Sequence, residues 1–103
     1  MSLKKQFLKS KPVCKVTFRL DAAEAAGATK VQLLGDFNHW DESAEPMNAL
    51  KTKDFTATLE LETGKEYQFR YLVDGATWKN DPEADYFVAN SFGEENGVVS
   101  TNA

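Results

Sequence analysis

Twenty-two consecutive residues, "DFTATLELETGKEYQFRYLVDG" (54–75), carry two runs of alternation joined by a turn, and few folds tolerate that pattern. In the first run Phe55, Ala57, Leu59 and Leu61 share one face while Thr56, Thr58 and Glu60 share the other. In the second, Tyr67, Phe69, Tyr71 and Val73 point inward and Gln68, Arg70 and Leu72 outward. A period of two puts successive side chains on opposite faces of a strand, so each run predicts a half-buried strand. Asp74-Gly75 closes the second run with a hairpin signal, because a type I′ turn needs positive φ, which glycine accepts without steric cost. A short strand over 77–79 is therefore expected to fold back on it.

The same period recurs in "CKVTFRL" (14–20), where Cys14, Val16, Phe18 and Leu20 share a face. "KVQLLG" (30–35) is a short aliphatic run bounded by turn residues and predicts another strand. "YFVA" and "GVVS" predict two more, separated by the loop "NSFGEEN". "DAAEAAGA" (21–28) is rich in alanine but spans barely two turns, so it predicts a surface connection with at most a helical turn. Residues 36–53 are polar, contain Pro46 and hold no period, and are expected to form a long loop. Short strands punctuated by turns imply an all-β antiparallel sandwich. With 103 residues, seven Phe, three Tyr and two Trp, the chain can fill one core and not two. Residues 1–12 read as an N-terminal extension and 13–103 as the domain.

Composition excludes several functions. The net charge of -4 offers no basic excess for nucleic acid or anionic lipid, and no apolar run approaches a membrane span or signal core. In "MSLKKQFLKSKP" Lys9 and Lys11 arrive before any hydrophobic stretch develops, so the expected compartment is the cytoplasm. The lone Cys14 has no partner for an internal disulfide and lies on an inward face. His39, the single histidine, lacks a neighbouring nucleophile, and one His, one Cys and scattered acids have no metal-ligand spacing. Asp36 and Asp41 flank an aromatic loop but lack the regularly spaced oxygens of a calcium site. Neither catalysis, a metal nor a cofactor is expected.

What remains are two tryptophans that belong to no inward alternation. Trp40 closes "GDFNHW" (35–40), and Trp78 follows the Asp-Gly turn. A tryptophan at such a place either plugs an end of the sandwich or forms a platform. Arg70, outward on the preceding strand, can share a surface with Trp78. A flat ring beside planar donors suits a pyranose, whose C–H face lies on the ring while its hydroxyls bond the donors.

"VQLLGDFNHW", "YQFRYLVDGATWKNDPEAD" and "NSFGEENGVV" together resemble the signature segments of family 48 carbohydrate-binding modules, over roughly 13–99. These are early-set immunoglobulin-like domains found before the barrels of isoamylases and glycogen branching enzymes and in AMP-activated protein kinase β subunits. The resemblance implies non-catalytic binding of α-1,4-glucan, with Trp40 and Trp78 stacking on glucose and Arg70 bonding hydroxyls. It further implies that Phe92 reaches over the sugar and that Asn96 donates to it. Arg70 stands where the kinase subunits usually have Lys, and Glu94 and Glu95 stand where they tend to have uncharged residues. Members joined to barrels often pack this surface against their own enzyme, so the alternative is a module that docks on a glucan-active enzyme without touching sugar.

Overall fold

The computed structural model describes residues 3–25 and 27–102. Among the described residues, nine strands form two antiparallel sheets. In the first, β1 (Leu3–Phe7), β2 (Val13–Leu20), β5 (Phe55–Glu62) and β4 (Asn48–Ala49) lie in that order. In the second, β3 (Val31–Gly35), β6 (Glu66–Val73), β9 (Glu95–Ser100) and β8 (Tyr86–Ala89) follow one another, and β7 (Thr77–Lys79) pairs β6 beside β9. The connection between β2 and β3 holds one helical turn, α1 (Ala22–Ala25).

The inward alternations supply the core. Cys14, Val16, Phe18 and Leu20 of β2 face Phe69, Tyr71 and Val73 of β6, with Val31, Leu33, Phe55, Leu61 and Val99 around them. Phe18 meets Phe69 edge to face with centroids 5.1 Å apart, a geometry that places a ring's positive edge against a negative face. Tyr71 is buried, and its hydroxyl donates to Asp81 Oδ2 at 2.7 Å. Burial, together with that neighbouring carboxylate, raises the phenol well above its ordinary pKa. The other oxygen of Asp81 accepts from the Glu83 amide, which ties the turn after β7 to the core.

The hairpin turn forms where the sequence predicts it. Asp74 and Gly75 both have positive φ, and the Ala76 amide donates to the Val73 carbonyl. Asp74 also accepts from the Thr29 and Lys30 amides and from the Thr29 hydroxyl, so the turn anchors the start of β3.

Four expectations need correction. Leu3–Phe7, inside the stretch read as an extension, pairs β2 as an edge strand. Its signal is weak because a lysine separates the two apolar residues of its inner face, a common protection of sheet edges. The expected loop over 36–53 contains a 3₁₀ turn (Asp36–Asn38) and the two-residue β4. The final strand begins at Glu95, so Asn96 lies on β9 and not in the loop, being paired with Val88 of β8. Leu72, outward by period, is nevertheless only 2% exposed.

That burial shows a second apolar layer on the outer face. Leu34, Leu72 and Val98 are all buried yet lie outside the core between the sheets. Gln32, on the same face, donates its side-chain amide to the carbonyls of Glu42 and Ala44, which draws the 36–47 connection across the sheet.

Several carboxylates are held below their ordinary pKa: Asp41 by the Ser43 hydroxyl, Asp54 by Arg19, Glu62 by Lys65 and Asp74 by the Lys30 amide. A depressed carboxylate contributes stability above its unfolded pKa and loses it as pH falls through the folded value. The midpoint of urea unfolding is therefore expected to stay level from pH 7 to about 5 and to fall steadily below about pH 4.

Candidate functional site

The loop "GDFNHW" is built residue by residue to present Trp40. Gly35 ends β3 against β6, and a Cβ there would lie 2.5 Å from the Gln68 carbonyl oxygen and 2.9 Å from Phe69 Cβ. Only glycine fits so close an approach of backbone to backbone. Phe37 turns inward and packs against Phe18 and Tyr67, with centroids 5.7 and 6.2 Å away, closing one end of the core. Asn38 accepts from the Gly35 amide and donates to the Leu33 carbonyl, which clamps the turn on itself.

His39 and Trp40 follow in the left-handed region, with φ of 59° and 56°. Such a conformation costs roughly 1–2 kcal/mol per residue for side chains other than glycine, so the hydrogen bonds around it must offset the strain. The Trp40 amide donates to the Gly35 carbonyl, and its indole Nε1 donates to Asp36 Oδ1 at 3.0 Å. Asp36 Oδ2 accepts from the Gln68 amide on β6. One carboxylate thus holds the indole and fastens the loop to the sheet. His39 itself is exposed.

Trp78 comes from the other side. It stands directly opposite Leu72 in the β6–β7 pairing, hence on the outer face of the sheet. Its ring centroid is 6.3 Å from that of Trp40, with the planes inclined at 56°. Both indoles are half-buried, so each keeps part of its surface open while the remainder is held by the protein. The Arg70 guanidinium carbon lies 5.7 Å from the Trp78 centroid, within range of a cation–π contact. Arg70 Nη1 also donates to Glu94 Oε1 at 2.9 Å.

The remaining wall is the loop after β8. Asn90 Oδ1 accepts from the amides of Phe92 and Glu94, and the Asn90 amide group donates to Asn96 Oδ1. Asn96 in turn donates to Gln68 Oε1 at 3.0 Å. Asparagine bonding its own downstream backbone shapes a tight loop, and here it lifts Phe92 into solvent at 86% exposure. Asn80, just past Trp78, donates to the Glu95 carbonyl and bridges β7 to β9.

An open cleft of about 550 Å³ results, lined by Trp40, Glu42, Arg70, Trp78, Asn90, Ser91, Phe92, Glu94 and Asn96. All five residues singled out from the sequence, Trp40, Arg70, Trp78, Phe92 and Asn96, therefore border one space. Asp36, Asn90 and Gln68 were missed as its supports. Asn90 had a signal, since "NSFG" is an Asx-type turn sequence ending in glycine. Asp36 and Gln68 had none, because only the pairing of β3 with β6 brings them together. An indole face, a guanidinium and two amides can stack and hydrogen-bond a polyhydroxylated ring.

Asp36→Ala is expected to release the Trp40 indole. Its Nε1–H resonance should move to a solvent-exposed position, and unfolding should become easier by about 1–2 kcal/mol, the ordinary loss for charge-assisted hydrogen bonds. NMR of the indole protons and urea denaturation check this.

A family model described as the glycogen recognition site of AMP-activated protein kinase matches residues 22–103. The match spans all the strands of the second sheet and every residue lining the cleft. A comparison with curated proteins gave no significant match. The family consists of non-catalytic carbohydrate-binding domains of the family 48 type, and this chain belongs to it.

Proposed function

We propose that the cleft binds α-1,4-glucan, as glycogen, starch or maltooligosaccharide, through stacking of glucose units on Trp40 and Trp78. The observation that carries this reading is the pair of neighbouring indoles inclined at 56° over one open cleft. Two coplanar rings would suit a flat, ribbon-like polysaccharide. A bent pair suits a chain whose α-1,4 linkages turn each glucose relative to the last. Arg70, Asn90 and Asn96 supply the polar edge, and Phe92 reaches over from the opposite wall.

Binding of this kind is reversible and modest. Each stack contributes about 0.5–1.5 kcal/mol beyond area burial, and each sugar–protein hydrogen bond nets about 1 kcal/mol after water is displaced. Less the cost of association, the sum corresponds to a Kd on the order of 10 μM to 1 mM for a short maltooligosaccharide. Affinity for whole glycogen is higher because many chain ends present the same ligand.

A second reading is favoured by Phe92, whose side chain is too exposed to contribute to folding. An apolar ring held in solvent is also what a docking surface for a glucan-active enzyme would present. The two readings differ in the response to sugar alone. Maltoheptaose should perturb tryptophan fluorescence if the cleft binds glucan and leave it unchanged if the surface only docks on protein.

Trp40→Ala and Trp78→Ala are each expected to abolish retardation of the protein in a native gel containing glycogen. The far-UV circular dichroism of both variants should match the parent, since neither indole belongs to the core between the sheets. Normal mobility of the unaltered protein in that gel would count against direct glucan binding.

A further inference from the structure

We infer that the cleft selects glucan by charge, accepting neutral chains and rejecting those bearing phosphate monoesters, and that Glu94 sets this preference. The inference rests on the glucan reading of the same cleft and adds a rule for which glucans enter it.

Three charged side chains line the cleft: Glu42, Arg70 and Glu94. Arg70 is the one cation among the described lining residues, and its charge is already paired, although its buried Nε has no hydrogen-bond partner. Its Nη1 donates to Glu94 Oε1 at 2.9 Å, its guanidinium lies beside Trp78, and only 11% of its side chain is exposed. An incoming anion would have to compete with Glu94 for that charge. Glu94 is not free to swing aside at its base, because its amide is held by Asn90 Oδ1 in the loop that also carries Phe92. Its side chain is 59% exposed, and the carboxylate keeps lone pairs for the cleft. Glu42, also in the lining, is exposed and adds a second negative charge.

The chemistry of the two ligands then differs. A glucose hydroxyl can donate to a carboxylate and accept from a guanidinium or amide. A phosphate monoester carries most of two negative charges at pH 7 and offers chiefly acceptor oxygens. Facing Glu94 and Glu42 it meets like charge with no unpaired cation to answer it, and such juxtapositions suppress the wrong partner. The chain's net charge of -4 acts in the same direction.

The test is a titration of the purified protein with maltoheptaose and with maltoheptaose phosphorylated at C6 of internal glucose units, at low and high salt. The neutral sugar is expected to bind at least tenfold more tightly at low salt. The gap should narrow at high salt, since screening weakens repulsion between exposed charges. In Glu94→Gln, whose amide oxygen still accepts from Arg70, the ratio of the two affinities is expected to fall below about threefold. Equal affinities in the unaltered protein, or a gap unchanged by both salt and Glu94→Gln, would overturn the charge rule alone. Binding of neither sugar would overturn the glucan reading and this inference with it.

Discussion

Strand β6 faces two ways, and the constraint of alternation along it governs everything else in the molecule. One face sends Tyr67, Phe69, Tyr71 and Val73 toward the core, where Phe69 meets Phe18 of the opposite sheet. The other sends Gln68, Arg70 and Leu72 beneath the cleft. A slip of one residue in register would exchange these sets, placing a guanidinium among aromatic rings and a phenylalanine on the floor of the cleft. Stability and recognition therefore demand the same register, and Asp74-Gly75 holds it by fixing the turn and clasping Thr29 and Lys30 at the start of β3.

Trp40 and the loop of Phe92 are held by polar groups that are themselves tied to the sheet. Asp36 joins the Trp40 indole to the β6 backbone, and Asn90 joins the Phe92 loop to Asn96 and through it to Gln68. A ring fixed before the ligand arrives loses little further freedom on binding, which matters where each contact nets about a kilocalorie. The left-handed backbone at His39 and Trp40 fits the same logic. Strain of that sort persists only where surrounding structure over-determines it, and it clusters at binding sites.

Arg70 joins the electrostatics to the architecture. It emerges from β6 where the pairing passes from β9, which reaches Phe69 through Gly97, to β7, which begins at Tyr71 opposite Lys79. Asn80 spans that junction through the Glu95 carbonyl. The guanidinium lies against Trp78 and bonds Glu94, so one side chain ties the indole on β7 to the loop before β9. A lysine in its place would offer a point charge without the planar fork and could not stack and pair with the same geometry.

The sequence by itself determined the sandwich, the Asp-Gly hairpin and the two tryptophans as the features to explain, because alternation and turn chemistry are local properties that survive in a string of letters. The motifs around Trp40 and Trp78 also pointed to the carbohydrate-binding family. Local pattern failed at Leu3–Phe7, whose strand character comes only from pairing with β2, and at Leu72, whose outward position is covered by distant segments. Tertiary structure alone decided that the indoles lie 6.3 Å apart and 56° from parallel, since they arrive from a loop and a strand 38 residues apart in sequence (78 minus 40). It alone decided that Glu94 takes up the charge of Arg70, a pairing set by the neighbouring paths of β6 and the loop before β9.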